Sequence, residues 1–224
     1  MRSLTNIVAA LLVQAIVCAA HATPIAAGGS VTAAAIATSP TQYVASINNG
    51  TFISQTPIGL PSTIQGTYTT SVYKDSANTL CGSSGNCLTF AIQVMNSSAS
   101  LDGIETVTTG PFSSAFTYNV GYLDVTSGKA PIMVSDSANG TISFRFTNGT
   151  NWANMIQPGS SSDILLIQTS ATNYANGSIS IQDTQTATVA GFIAATPEPS
   201  SLVLLGSGMF GIAGAAVRRR QTGA

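Results

Sequence analysis

Leu88-Thr89-Phe90-Ala91-Ile92-Gln93-Val94-Met95 is apolar at every second position. Leu88, Phe90, Ile92 and Val94 fall on one face, and Thr89, Ala91, Gln93 and Met95 on the other. Successive side chains of a strand point to opposite faces, so this period of two predicts a half-buried antiparallel strand. The pattern recurs at Ile142, Phe144 and Phe146, at Phe116, Tyr118, Val120 and Tyr122, and briefly at Ile179 and Ile181. Ile164-Leu165-Leu166-Ile167 is apolar throughout and reads as a central strand. Weaker strand patterns cover residues 43–47, 67–73, 105–108, 131–134 and 186–192. Asn49-Gly50, Asp102-Gly103, Asn139-Gly140, Asn148-Gly149 and Asn176-Gly177 supply the positive φ of tight turns and read as the breaks between strands. Many short strands with regular turns predict an all-β fold, an antiparallel β-sandwich over residues 41–194. Helical patterning of useful length is confined to the two ends of the chain.

At the N-terminal side, Arg2 opens a short positive region and residues 7–20 are mostly apolar, broken by Gln14. Ala20-His21-Ala22 has the small-x-small form of a signal-peptidase site. Residues 1–22 therefore read as a cleaved signal peptide, with Ala20 and Ala22 setting the cut. Cys18 follows Val17, where lipid attachment would need a small residue. Residues 23–40 are Ala- and Thr-rich and read as a flexible lead-in to the sandwich.

Residues 195–224 form a separate unit. Pro197-Glu198-Pro199 precedes an uncharged apolar run at 202–217, and Arg218-Arg219-Arg220 follows it. As a helix the run spans roughly 24 Å, a little less than the ~30 Å hydrocarbon core of a bilayer. Gly206, Gly208, Gly211 and Gly214 weaken it further. Ser207, Gly211 and Ala215 recur every four residues, either as a small-residue face for another helix or as plain small residues of a thin span. The three arginines stop translocation and keep their end cytoplasmic, so everything before residue 202 faces outward. The prolines hold the preceding segment extended.

The order of Pro197-Glu198-Pro199, Gly-rich span and Arg cluster resembles the PEP-CTERM sorting signal. Short stretches of the body resemble other PEP-CTERM proteins as well. They include residues 66–75, 90–96, 119–122 and 165–169, and Gly191-Phe192. The resemblance implies a Gram-negative bacterium that makes exopolysaccharide and biofilm. It also implies recognition by exosortase, a membrane-embedded sorting enzyme, transient anchoring in the inner membrane, and then the cell surface or extracellular matrix as destination. It carries no catalytic residues. The loop between Cys81 and Cys87 departs from the resemblance and looks like a hairpin insertion.

The chemistry open to the exported part is narrow. His21 is the one histidine and Cys18 one of three cysteines, and both leave with the signal peptide. Without histidine, a Ser-His-Asp triad or a His metal site fails by inventory. Cys81 and Cys87 flank Gly82-Ser83-Ser84-Gly85-Asn86, and in an exported chain such a pair reads as a disulfide rather than a metal or redox pair. Residues 23–196 hold three basic residues (Lys74, Lys129, Arg145) against seven acidic ones, a net charge of −4. Charged residues make up 7% of the whole chain, against about 25% in ordinary soluble proteins. Nucleic-acid binding needs a basic surface and is excluded.

Asp102 and Glu105 form the closest carboxylate pair for glycoside hydrolysis, yet Asp102 precedes Gly103 and reads as a turn residue. Asp75 and Asp136 each open the same Asp-Ser-Ala-Asn string, again turn chemistry. A calcium site built from such groups lacks an EF-hand pattern. Asn49, Asn96, Asn139, Asn148 and Asn176 each begin an Asn-x-Ser/Thr triplet, and in a bacterial chain these read as turns, not glycosylation acceptors. Trp152 and Tyr174 stand in polar, loop-like stretches as candidate sugar contacts, or else as caps on the core edge. The expectation is a non-enzymatic envelope or exopolysaccharide-matrix protein without cofactor or metal. The alternative is a carbohydrate-binding module exported by the same route.

Overall fold

The computed structural model describes residues 22–35, 44–54, 63–75, 78, 80–81, 87–149 and 151–195. Leu88–Asn96 forms the strand that its alternation predicts, the fifth in chain order. The strands are β1 (Thr23–Ile25), β2 (Ser30–Thr32), β3 (Val44–Ile53), β4 (Gln65–Lys74), β5 (Leu88–Asn96), β6 (Thr106–Gly110) and β7 (Tyr118–Leu123). They continue with β8 (Gly128–Lys129), β9 (Met133–Asp136), β10 (Ile142–Arg145), β11 (Ser161–Ser162), β12 (Ile164–Thr169), β13 (Asn173–Gln182) and β14 (Thr186–Ala195).

Two sheets result. In the first, β3, β4, β5, β12, β7 and β1 lie side by side, and β11 continues the line of β12 to pair with β8. In the second the order is β14-β13-β6-β10-β9-β2. Pairing is antiparallel except between β11 and β8. Asp163 stands between β11 and β12 and redirects the chain. Its backbone N–H reaches Lys129 O at 2.9 Å, and its carboxylate accepts from the Val125 N–H at 3.1 Å.

Register makes the core. Val72, Phe90, Ile167 and Val120 line up across β4, β5, β12 and β7. Ile181, Val107, Phe144, Val134 and Val31 line up across β13, β6, β10, β9 and β2. Both rows belong to one apolar cluster between the sheets, the arrangement of a β-sandwich. Phe90 packs edge-on to Phe112 at 5.3 Å between ring centroids, and Phe112 edge-on to Tyr118 at 5.5 Å. Each such buried side chain contributes roughly 1.5–3 kcal/mol. The opposite parity of the second sheet is polar. Thr188, Ser180, Thr108, Ser143, Ser135 and Ser30 form an unbroken hydroxyl row across all six strands.

Several expectations need correction. The stretch 23–40 is not a loose lead-in throughout, because β1 pairs with β7 and β2 with β9, so each sheet gains a strand from it. Ile25 and Val31 supply the apolar contacts that make this worthwhile, one in each sheet. Asn49-Gly50 and Asn176-Gly177 are not turns. Both sit inside ten-residue strands, where full ladders on β4 and β14 override the local turn preference. Phe116 precedes β7 instead of opening it. Asn139-Gly140 and Asn148-Gly149 do turn, with φ of 80° at Gly140 and 86° at Gly149. The expected signal helix and C-terminal span lie outside the described residues.

The connections sort to two ends. β4, β6, β9, β12 and β14 finish at one end, where β5, β7, β10 and β13 begin. This is the near end, from which β14 runs out toward residue 197. The far end holds the residues between β5 and β6, between β7 and β8, and between β13 and β14, together with Trp152.

Candidate functional site

β14 is the element that presents the sorting signal. It is bonded to β13 along its whole length, from Thr186 opposite Gln182 to Ala195 opposite Asn173. Phe192 and Ala194 are buried, and Phe192 takes the Tyr174 ring edge-on at 5.7 Å. A firmly held strand thus ends at Ala195, and Pro197 follows after one residue. Pro197, Glu198, Pro199, Arg218, Arg219 and Arg220 lie outside the described residues.

At the other terminus, Ala20 also lies outside them, whereas Ala22 is buried in a small cluster with Ala91 and Leu166 on the outward face of the first sheet. Thr23, the first residue after the expected cut, is the first residue of β1 and pairs with Val120.

Cys81 and Cys87 form a disulfide, with Cα atoms 5.6 Å apart. It closes a near-end loop whose base is held by Asn78. The buried Asn78 side chain donates to Leu88 O at 3.1 Å and Thr169 O at 3.0 Å, and accepts from the Leu80 N–H at 3.1 Å. Sequence reading missed this clamp; its signal was an Asn inside a Ser/Ala string, which looks like any turn. Asn96 does the same work at the far end. It is fully buried and donates to Asp102 O at 2.9 Å and Ile156 O at 2.8 Å.

The two aromatic candidates are not brought together. Trp152 is 60% exposed on a 3-10 turn (Trp152–Asn154), capped by Asn151, whose side chain accepts from the Ala153 N–H. Tyr174 is 37% exposed, and it stands on β13, not in a loop. The two rings occupy opposite ends of the sandwich, Trp152 beyond the end of β10 and Tyr174 at the start of β13.

Asp183 neighbours Asp102 and Asp163 neighbours Asp124, and the other carboxylates are dispersed. Asp75 is buried and accepts from Thr89 Oγ1 at 2.7 Å. Asp136 is buried on the inward face beside Tyr118, and its Oδ1 has no hydrogen-bond partner among the described residues. Burial raises its pKa, and burial followed by the Asp136 charge raises that of Tyr118. Tyr118 in turn donates its hydroxyl to Ser113 O. Asp163 is raised by burial, opposed by the Val125 hydrogen bond. Asp183 is raised by burial and by neighbouring Asp102, opposed by bonds from Thr184. Asp102 accepts from the Gly103 N–H at 2.8 Å, but Gly103 does not take the positive φ that the turn reading expects. Among the described residues, no three His, Cys, Asp or Glu side chains come together.

Cavities lie both at the near-end loops and on a sheet face. An open groove of about 470 Å³ at the near end is lined by Pro111, Phe112, Asn139, Ile193 and Ala195. A tighter space of about 160 Å³ lies beside it, among Ile25, Phe116, Tyr118 and Asp136. Another groove of about 470 Å³ runs over Thr51, Ile53, Thr67 and Met95 on the outward face of the first sheet. Among the described residues, no helix is long and apolar enough to cross a membrane.

An all-β domain whose last strand runs straight into a terminal address defines a sorted passenger. Residues 195–220 match the family model described as PEP-CTERM protein-sorting motif, so the chain carries a PEP-CTERM sorting signal. That signal implies export, membrane-associated sorting and recognition by exosortase. No curated protein matches the chain. No solved structure matches it either.

Proposed function

We propose that this is a non-enzymatic structural protein of the cell envelope or exopolysaccharide matrix, held briefly in the inner membrane by its tail and then processed by exosortase. The observation that carries the reading is the continuity of β14 with the matched motif: Ala195 ends the strand and begins the match. The exported part has no histidine, and its carboxylates act as turn acceptors and buried structural groups. Replacing Pro197-Glu198-Pro199 by three alanines should leave export intact and block processing. Intact mass and membrane fractionation in the native host would then find the chain accumulated with its tail. A variant that matures and localises like the wild type would reduce the tail to a plain anchor.

A carbohydrate-binding module is the second reading. It is favoured by the exposure of Trp152 and by the uncharged hydroxyl row of the second sheet, since rings stack on sugar faces and hydroxyls both donate and accept. Pull-down of the mature protein on exopolysaccharide from its host should then be saturable and weaken in Trp152→Ala. Tyr174→Ala should matter less, because that ring packs on Phe192 at the other end. No retention on polysaccharide would remove this reading and leave the first intact.

A further inference from the structure

The near end of the sandwich has a composition of its own. Of the seven carboxylates in residues 23–196, Asp102, Glu105, Asp124 and Asp183 reach solvent, and all four stand at the far end. The near end has Asp75 and Asp136, which are 1% and 4% exposed. The near-end segments 26–29, 111–117, 137–141 and 170–172 contain no charged residue, and neither does 76–86. Lys74 is the one charged side chain that faces solvent at this end among the described residues. The exposed groups are instead hydroxyls, amides and small apolar side chains, with Pro111, Ala115, Ala138 and Tyr174 among them. A tyrosine amid such groups suits the boundary between water and lipid.

Chain length adds a second constraint. Six residues, 196–201, separate the end of β14 from the apolar run at 202–217. The steps from Ala195 to Leu202 reach at most about 25 Å when fully extended. A ten-residue strand such as β14 is about 34 Å long. The sandwich is therefore longer than its tether and cannot turn its far end to the bilayer. A surface bearing anionic headgroups repels carboxylates, whereas hydroxyl and amide loops meet no such repulsion and can exchange hydrogen bonds with the headgroups. The end that the tether holds close is the end from which solvent-facing carboxylates are missing, apart from Glu198 in the tether itself.

We infer that the near end is a bilayer-facing surface. While the tail is in the membrane, the segments 111–117, 137–141 and 170–172 lie against lipid headgroups, and Trp152 with the accessible carboxylates points away. The inference rests on the tail spanning the membrane and adds an orientation to that reading.

The test uses the full mature chain with its tail, reconstituted in vesicles of phosphatidylethanolamine and phosphatidylglycerol that contain a headgroup-nitroxide lipid. Trp152 is the chain's one tryptophan and reports from the far end. A Trp152→Phe, Ala138→Trp variant reports from an exposed near-end turn, and Trp152→Phe, Thr172→Trp serves if the first fails to fold. The near-end probe should be quenched several times more strongly than Trp152. Equal quenching at both ends overturns the orientation. Near-end quenching that appears only after an exosortase is co-reconstituted also overturns it, and assigns this end to the enzyme. A chain that does not float with the vesicles sinks the anchoring reading itself, which is a distinguishable result.

Discussion

At the near end Asp75 is sealed in and bonded to Thr89, and Asp136 is buried beside Tyr118. At the far end Asp102, Glu105 and Asp183 are half-buried and Asp124 is exposed. The difference bears on how a chain with 7% charged residues stays in solution. Ser, Thr, Asn and Gln can cover both sheets, so the few charges are free to be placed unevenly. One end keeps its carboxylates inside as structural acceptors and shows a neutral surface. The other keeps them in water. Both ends rely on a buried asparagine to hold their loops, Asn78 near and Asn96 far.

Two glycines with the same backbone conformation give the sharpest contrast. Gly140 at the near end and Gly149 at the far end both have φ above 80° or close to it, where a side chain is strained. A Cβ at Gly140 would overlap the Phe112 carbonyl oxygen, whereas at Gly149 nothing lies within 4 Å. Gly140→Ala should cost about 2–4 kcal/mol, because the 111–117 segment must move. Gly149→Ala should cost about 1 kcal/mol, from backbone strain alone. Urea melts of the two variants measure both, and similar losses would mean that the near-end loops are not packed as described.

The clamps give the next effect. Asn78→Ala leaves two carbonyls and one N–H without their partner, and should cost about 3 kcal/mol. Asn96→Ala leaves the Asp102 carbonyl without its amide partner, while Ile156 O keeps the Ile104 N–H at 3.0 Å, and the amide oxygen that it removes has no partner among the described residues, so about 1–2 kcal/mol is expected. Chemical denaturation again decides. The larger loss falling at Asn96 would show that the far end, not the near end, depends more on its asparagine.

The elements were legible where the local pattern and the tertiary ladder agree. β5, β10 and β12 alternate or run apolar as their burial requires, and Phe90, Phe144 and Phe146 are core as their spacing implies. Legibility failed where a neighbour decides. Asn49-Gly50 and Asn176-Gly177 have turn chemistry but lie opposite continuous partners, and only the partner tells. β1 and β2 are three residues each, too short for any period, and exist because β7 and β9 offer open edges. Asp75 and Asp136 open identical strings, and nothing in those strings says that both carboxylates are buried. The sorting signal was legible because it works as a linear string, read by an enzyme and not by a fold.

The smallest effect expected is a pH dependence, and it distinguishes the ends again. Asp136, Asp163 and Asp183 all have pKa values raised by burial in the folded protein. A raised carboxyl binds its proton more tightly folded than unfolded. Its contribution is fully present below the unfolded value, about 3.9, and is lost as pH rises through the folded value. The mature domain should therefore melt higher near about pH 4 than near about pH 7, against the usual direction for carboxylates in ion pairs. Burial acts alone on Asp136, whereas Asp163 has the Val125 N–H and Asp183 has Thr184 to offset it. Asp136→Asn should therefore raise the melting temperature at neutral pH, leave it nearly unchanged at acid pH, and remove more of the pH dependence than Asp163→Asn. Thermal melts followed by circular dichroism across that range measure all three. If Asp163→Asn flattens the profile more, the near-end carboxyl is better solvated than its burial indicates, and the charge contrast between the two ends is weaker than the geometry implies.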